Sequence, residues 1–178
     1  MEIIKTTIEG LVIIQPRVFE DERGYFTESY KESFIKENFP DVHFIQDNES
    51  KSSYGVLRGL HFQRPPFEQT KLVRVIDGEV LDVAVDLRQD SPTYGKWESI
   101  VLSGENKKQF FVPKGFAHGF VVLSPEAIFS YKVDNIYAPE HDSGIYYGDE
   151  FLNINWIVDS IDLIISDKDE RLNSFKEL

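Results

Sequence analysis

The sequence predicts an all-β protein, a sandwich or barrel of short strands, and two observations predict it. Turn signals recur throughout: Glu9-Gly10, Arg23-Gly24, Tyr54-Gly55, Asp77-Gly78, Ser91-Pro92, Ser103-Gly104, Lys114-Gly115 and Ser143-Gly144. Between them lie short runs rich in Val, Ile and Phe, which is the spacing of many brief strands and not of helices. Helical patterns do not alternate with strands, and neither a G-x-G-x-x-G fingerprint nor a P-loop occurs, so a dinucleotide-binding α/β fold is excluded.

The clearest strand is Val80 to Leu87. There Leu81, Val83, Val85 and Leu87 point one way, and Val80, Asp82, Ala84 and Asp86 the other. Lys71 to Ile76, Gln109 to Val112, His118 to Leu123 and Ile128 to Val133 read as further strands. One short helix is expected from about Lys31 to Asn38, stopped by Pro40, and another near the C-terminus from Lys168. Together they fit a jelly roll of the cupin kind, a double-stranded β-helix barrel with a few short peripheral helices. No repeat, low-complexity tract or Pro/Gly/Ser-rich linker divides the chain, so residues 1–178 are expected to form a single domain.

Composition narrows the function. With 178 residues, 41% of them apolar, there is enough chain to bury a core. The absence of cysteine removes disulfides, zinc–thiolate sites and thiol nucleophiles, and suits a reducing cytoplasm. A net charge of −12 argues against nucleic acid as a partner. No membrane association is expected: no stretch approaches about 18 apolar residues, and the acidic start Met1-Glu-Ile-Ile-Lys is not a signal peptide. An anionic substrate would require the few Arg and Lys to gather at its site.

Inward positions of a small barrel should be apolar unless they line a ligand cavity. Arg58 and His61 sit within the apolar run Val56–Gln63, Lys71 opens one strand and His118 another, Asp82 shares a face with Ala84, and Tyr131 alternates with Phe129 and Val133. Taken singly, a strand His is more often structural, a strand Tyr is usually packing and a strand Lys is usually solvated. Reactive groups on separate strands that a barrel can aim at one cavity change that balance. Arg58 and His61 are three apart, so a regular strand places them on opposite faces. Gly59 between them predicts a bulge that re-aims one of the two.

Read together, Phe19-Glu-Asp-Glu-Arg-Gly-Tyr-Phe-Thr-Glu28, Gln46-Asp-Asn-Glu-Ser50, Gly55-Val-Leu-Arg-Gly-Leu-His-Phe-Gln63, Lys71-Leu-Val-Arg-Val, Leu81-Asp-Val-Ala-Val-Asp-Leu-Arg88, Phe111-Val-Pro-Lys-Gly-Phe-Ala-His-Gly-Phe120 and Ile164-Ile-Ser-Asp-Lys-Asp169 resemble the dTDP-4-dehydrorhamnose 3,5-epimerase family, in the family's order and over nearly the whole chain. The resemblance implies a homodimer that needs neither metal nor organic cofactor. Its substrate would be dTDP-4-keto-6-deoxyglucose, inverted at C3 and C5 to give the L-rhamnose precursor.

By the same resemblance His61 is the base, Asp169 the carboxylate that fixes its tautomer, Tyr131 the acid and Lys71 the donor to the enolate oxygen. On the residues alone, Asp169 in Ser-Asp-Lys-Asp-Glu is a solvated helix start. Substrate binding carries over to Arg23, Phe26, Glu28, Gln46, Asp47, Asn48, Arg58, His118, Asp142 and Lys168. Without the resemblance, Glu28 and Asn48 read as polar turn or rim residues. Asp82 is a candidate partner for the charge of Lys71.

Three positions depart from the family pattern: Asp142 replaces the usual Glu, Tyr147 a Trp, and Thr70 a Gly. Other readings of the same fold are a metal-dependent cupin, a sugar-binding module without catalysis, and an epimerase acting at C3 or C5 alone. The first needs a His-x-His pair, but Phe62 and Gln63 follow His61, and the chain has only four His. The second would not need His61, Asp169, Tyr131 and Lys71 together.

Overall fold

The computed structural model describes all 178 residues. In chain order the strands are β1 (Glu2–Lys5), β2 (Val12–Gln15), β3 (Val18–Asp21), β4 (Gly24–Thr27), β5 (Gln46–Ser53), β6 (Leu57–Gln63), β7 (Lys71–Asp77), β8 (Glu79–Asp86), β9 (Trp97–Ser103), β10 (Gln109–Val112), β11 (Phe116–Val122), β12 (Glu126–Val133) and β13 (Asp142–Gly144). Helices α1 (Glu32–Asn38) and α2 (Asp167–Glu170) are short.

Two antiparallel sheets face each other. One has the order β1-β2-β10-β7-β12-β5, the other β13-β6-β11-β8-β9. The chain passes between them repeatedly, β6 to β7 to β8 and β10 to β11 to β12, which makes the expected jelly roll. The β3–β4 hairpin forms a separate two-stranded sheet.

The alternation read in Val80–Leu87 appears directly in the packing. Val80 and Ala84 join Val73, Phe110, Phe120 and Phe129 in the core between the sheets. Leu81, Val83 and Val85 face outward, where Ile145, Leu152, Trp156 and Phe175 of the C-terminal segment cover them. Ile35 of α1 caps a third cluster on Val12, Ile14, Leu72 and Phe111. With both faces covered, β11 is buried along its whole length. Each large core side chain, such as Phe110, contributes about 1.5–3 kcal/mol.

The predicted irregularity at Gly59 is present. His118 pairs with His61 but Phe120 pairs with Arg58, so β6 carries one more residue than β11 over this stretch. Gly59 has φ +133°, and a Cβ there would meet the Cα of Gly119 at 2.5 Å. Only glycine fits, and the bulge turns both Arg58 and His61 to one cavity.

Candidate active site

A cavity of about 580 Å³ opens between the two sheets. The five-stranded sheet contributes Arg58 and His61 from β6 and His118 from β11; the six-stranded sheet contributes Lys71 from β7 and Tyr131 from β12. The segment Ile164–Asp169 closes one side, and Phe120, Phe129 and Leu57 supply apolar lining. The inward polar residues singled out on separate strands thus converge, with two opposed walls carrying different chemistry.

Asp169 Oδ1 lies 2.7 Å from His61 Nε2. The other oxygen accepts the Gly59 backbone N–H at 3.2 Å. Ser166 caps α2 by accepting the Asp169 N–H at 3.1 Å, which holds the carboxylate in the first turn. Burial alone would raise the Asp169 pKa, but the His61 and Gly59 hydrogen bonds and the nearby Lys168 charge hold it below the usual carboxylate range. An ionised Asp169 accepts a hydrogen bond from the protonated Nε2 and leaves Nδ1 of a neutral imidazole as the free acceptor.

Burial pushes the Tyr131 phenol up, opposed by the Arg58 charge and the neighbouring Asn48 amide. Arg58 is held by its Nε donating to Ser52 Oγ at 3.2 Å. Lys71 is pushed down to about 8 by burial, against the pull of Asp82 and Asp142. The expected Lys71–Asp82 pair is not a direct ion pair. His118 Nε2 takes Asp82 Oδ1 at 2.8 Å, because β8 and β11 are adjacent strands, and Lys71 feels Asp82 only as a neighbouring charge.

Lys168 lines the cavity, while Asp142 stands behind it, accepting from Lys168 and from the Tyr137 hydroxyl. Asp47 and Asn48 line an adjoining cavity of about 310 Å³ that also touches Tyr131. Gln46 is exposed and donates to Asn48 Oδ1 at 2.8 Å. Arg23, Phe26 and Glu28 line neither cavity, although Ser29, next to Glu28, lines the smaller one. They belong to the exposed β3–β4 hairpin and the residue after it, where Arg23 pairs with Asp21, Glu28 with Lys31, and Phe26 is 65% exposed.

Sequence reasoning did not anticipate Glu49, Ser50 and Ser166 in the cavity lining. Ser166, three residues before Asp169, was legible as a helix N-cap. The other two lie on a polar strand without apolar alternation. No three His, Asp or Glu side chains converge as a metal-ligand set. No helix is long and apolar enough to cross a membrane.

The chain is similar to known proteins along nearly its whole length. The family model for dTDP-4-dehydrorhamnose 3,5-epimerase matches residues 5–177. A relative of that name from Methanothermobacter thermautotrophicus is 54% identical, covering 98% of this chain and 94% of its own. One from Escherichia coli is 52% identical, covering 100% and 96%. The crystal structure of dTDP-6-deoxy-D-glucose-3,5-epimerase from Legionella pneumophila in complex with dTDP-4-keto-L-rhamnose superposes with a TM-score of 0.94 at 48% identity, over 98% of this chain and 93% of that one. The chain belongs to the dTDP-4-dehydrorhamnose 3,5-epimerase family.

Proposed function

We propose that this protein epimerises dTDP-4-keto-6-deoxyglucose at C3 and C5 by metal-free acid–base chemistry, giving dTDP-4-keto-L-rhamnose for rhamnose biosynthesis. The observation that carries the reading is the opposition of walls: His61, backed by Asp169 of α2, stands on one sheet and Tyr131 on the other, around one cavity. Inversion needs a base on one face of the sugar ring and an acid on the other.

His61 Nδ1 takes the proton from the carbon beside the C4 ketone. The C–H electron pair passes to the carbonyl oxygen as an enolate, and the imidazolium formed is stabilised by the ionised Asp169. Lys71 donates to the enolate oxygen, the role of an oxyanion-hole donor. Tyr131 then protonates the opposite face of the carbon, and the tyrosinate left behind is balanced by Arg58. Solvent restores both groups before the second centre reacts. The positive charge that a metal would supply comes from Lys71.

Arg58 and Lys168 at the cavity suit a pyrophosphate. Gln46, Asp47 and Asn48 lie towards the nucleotide side, and Asp142 acts by holding Lys168. Arg23, Phe26 and Glu28 reach a nucleotide if the exposed hairpin of a second copy lies over the cavity, which makes a homodimer part of this reading. The cysteine-free chain suits a cytoplasmic location.

The test is proton NMR of dTDP-4-keto-6-deoxyglucose with EDTA-treated protein in D₂O. Loss of the C3-H and C5-H signals is expected, and loss at one position means a single-site epimerase. No exchange, even after metals are restored, leaves a binding module or another substrate.

A further inference from the structure

A second histidine–carboxylate pair backs the cavity, with His118 in its lining and Asp82 behind. His118 on β11 lies directly across from His61 on β6, and its Nε2 is 2.8 Å from Asp82 Oδ1. Asp82 is 0% exposed, and its Oδ2 has no hydrogen-bond partner. A buried carboxylate oxygen without a donor is costly unless a cation stands near it. Lys71, half-buried at the same cavity, is that cation.

We infer that Asp82 is a positioning residue that acts on two neighbours: it fixes His118 as the Nε2–H tautomer, with Nδ1 free towards the sugar, and it keeps Lys71 protonated for the enolate. This inference deepens the epimerase reading and rests on it. Without Asp82, Lys71 would sit among Arg58, His61, His118 and Tyr131 with Asp142 as its main remaining counter-charge. Lys168 and Arg58 add positive charge at the mouth, against Glu49 and Asp169. Behind Lys71, an adjoining cavity carries Arg64, Glu68, Arg88 and Glu177. Burial favours the neutral amine, so removing the Asp82 charge moves Lys71 further towards it.

Asp82→Asn separates the two actions, because the amide oxygen still accepts from His118 while the charge is gone. In full-length protein labelled with ¹³C-lysine, with the Lys71 Cε signal assigned through Lys71→Gln, the titration midpoint of Lys71 should fall by about one pH unit or more in D82N. The alkaline limb of kcat should move down equally, with KM little changed. An unmoved Lys71 midpoint overturns the proposal. ¹⁵N-histidine NMR of the unaltered protein tests the other half without any variant: His118 should be protonated at Nε2, and an Nδ1–H tautomer overturns it. The NMR readings need no substrate, so they stand or fall apart from the epimerase reading, which fails on absent exchange alone.

Discussion

The cavity and the β3–β4 hairpin differ in how their residues are held. In the cavity several polar side chains are held by the fold: His61 by Asp169, Asp169 by Gly59 and Ser166, Arg58 by Ser52. On the hairpin, Arg23 is 84% exposed in its side chain and has Asp21 as its only hydrogen-bond partner. The difference teaches that the proposed chemistry is assembled within one chain, while in the proposed dimer the hairpin of a second copy would add Arg23, Phe26 and Glu28 to the nucleotide grip.

Variants break the two regions in different ways. His61→Asn removes the base from an intact cavity and should lower kcat about a thousandfold, read as solvent deuterium incorporation. Lys71→Gln should cost about a hundredfold in kcat, with substrate affinity largely kept. Because the Lys71 ammonium is the donating form and its pKa is pushed down to about 8, the rate should fall as pH rises through that value; a rate that is flat up to pH 10 would remove Lys71 from the chemistry.

Arg23→Ala should raise KM by about tenfold or more through loss of a charged contact, leaving kcat and thermal stability nearly unchanged. The sharper form of that comparison is complementation. Mixing H61N with R23A protein should restore turnover at low KM, since a mixed dimer builds one site from the intact halves of each chain. No recovery after exchange of subunits would place Arg23 on its own chain's site.

Much of the fold was legible because burial writes a period into strands. Val80–Leu87 alternates so cleanly that its two faces meet two different cores. The Arg58–Gly59–His61 spacing announced a bulge because strand residues three positions apart cannot share a face without one. Strand β5 was not legible: Gln-Asp-Asn-Glu-Ser-Lys-Ser-Ser is an edge strand with most of its residues exposed, so no apolar period marks it. Asp169 was readable only through family resemblance, since its partner His61 is 108 residues away and its own neighbours are polar. The Asp82–His118 pair follows from strand register, which spacing along one chain does not encode.

The central claim, that base and acid act from opposite walls, is tested most directly by Tyr131→Phe in D₂O, with exchange and inversion measured separately by NMR. Exchange at C3 or C5 should continue, because His61 still removes and returns the proton on its own face, while formation of the inverted sugar should collapse. Inversion that keeps pace with exchange in the variant would contradict the account and assign the acid to another group.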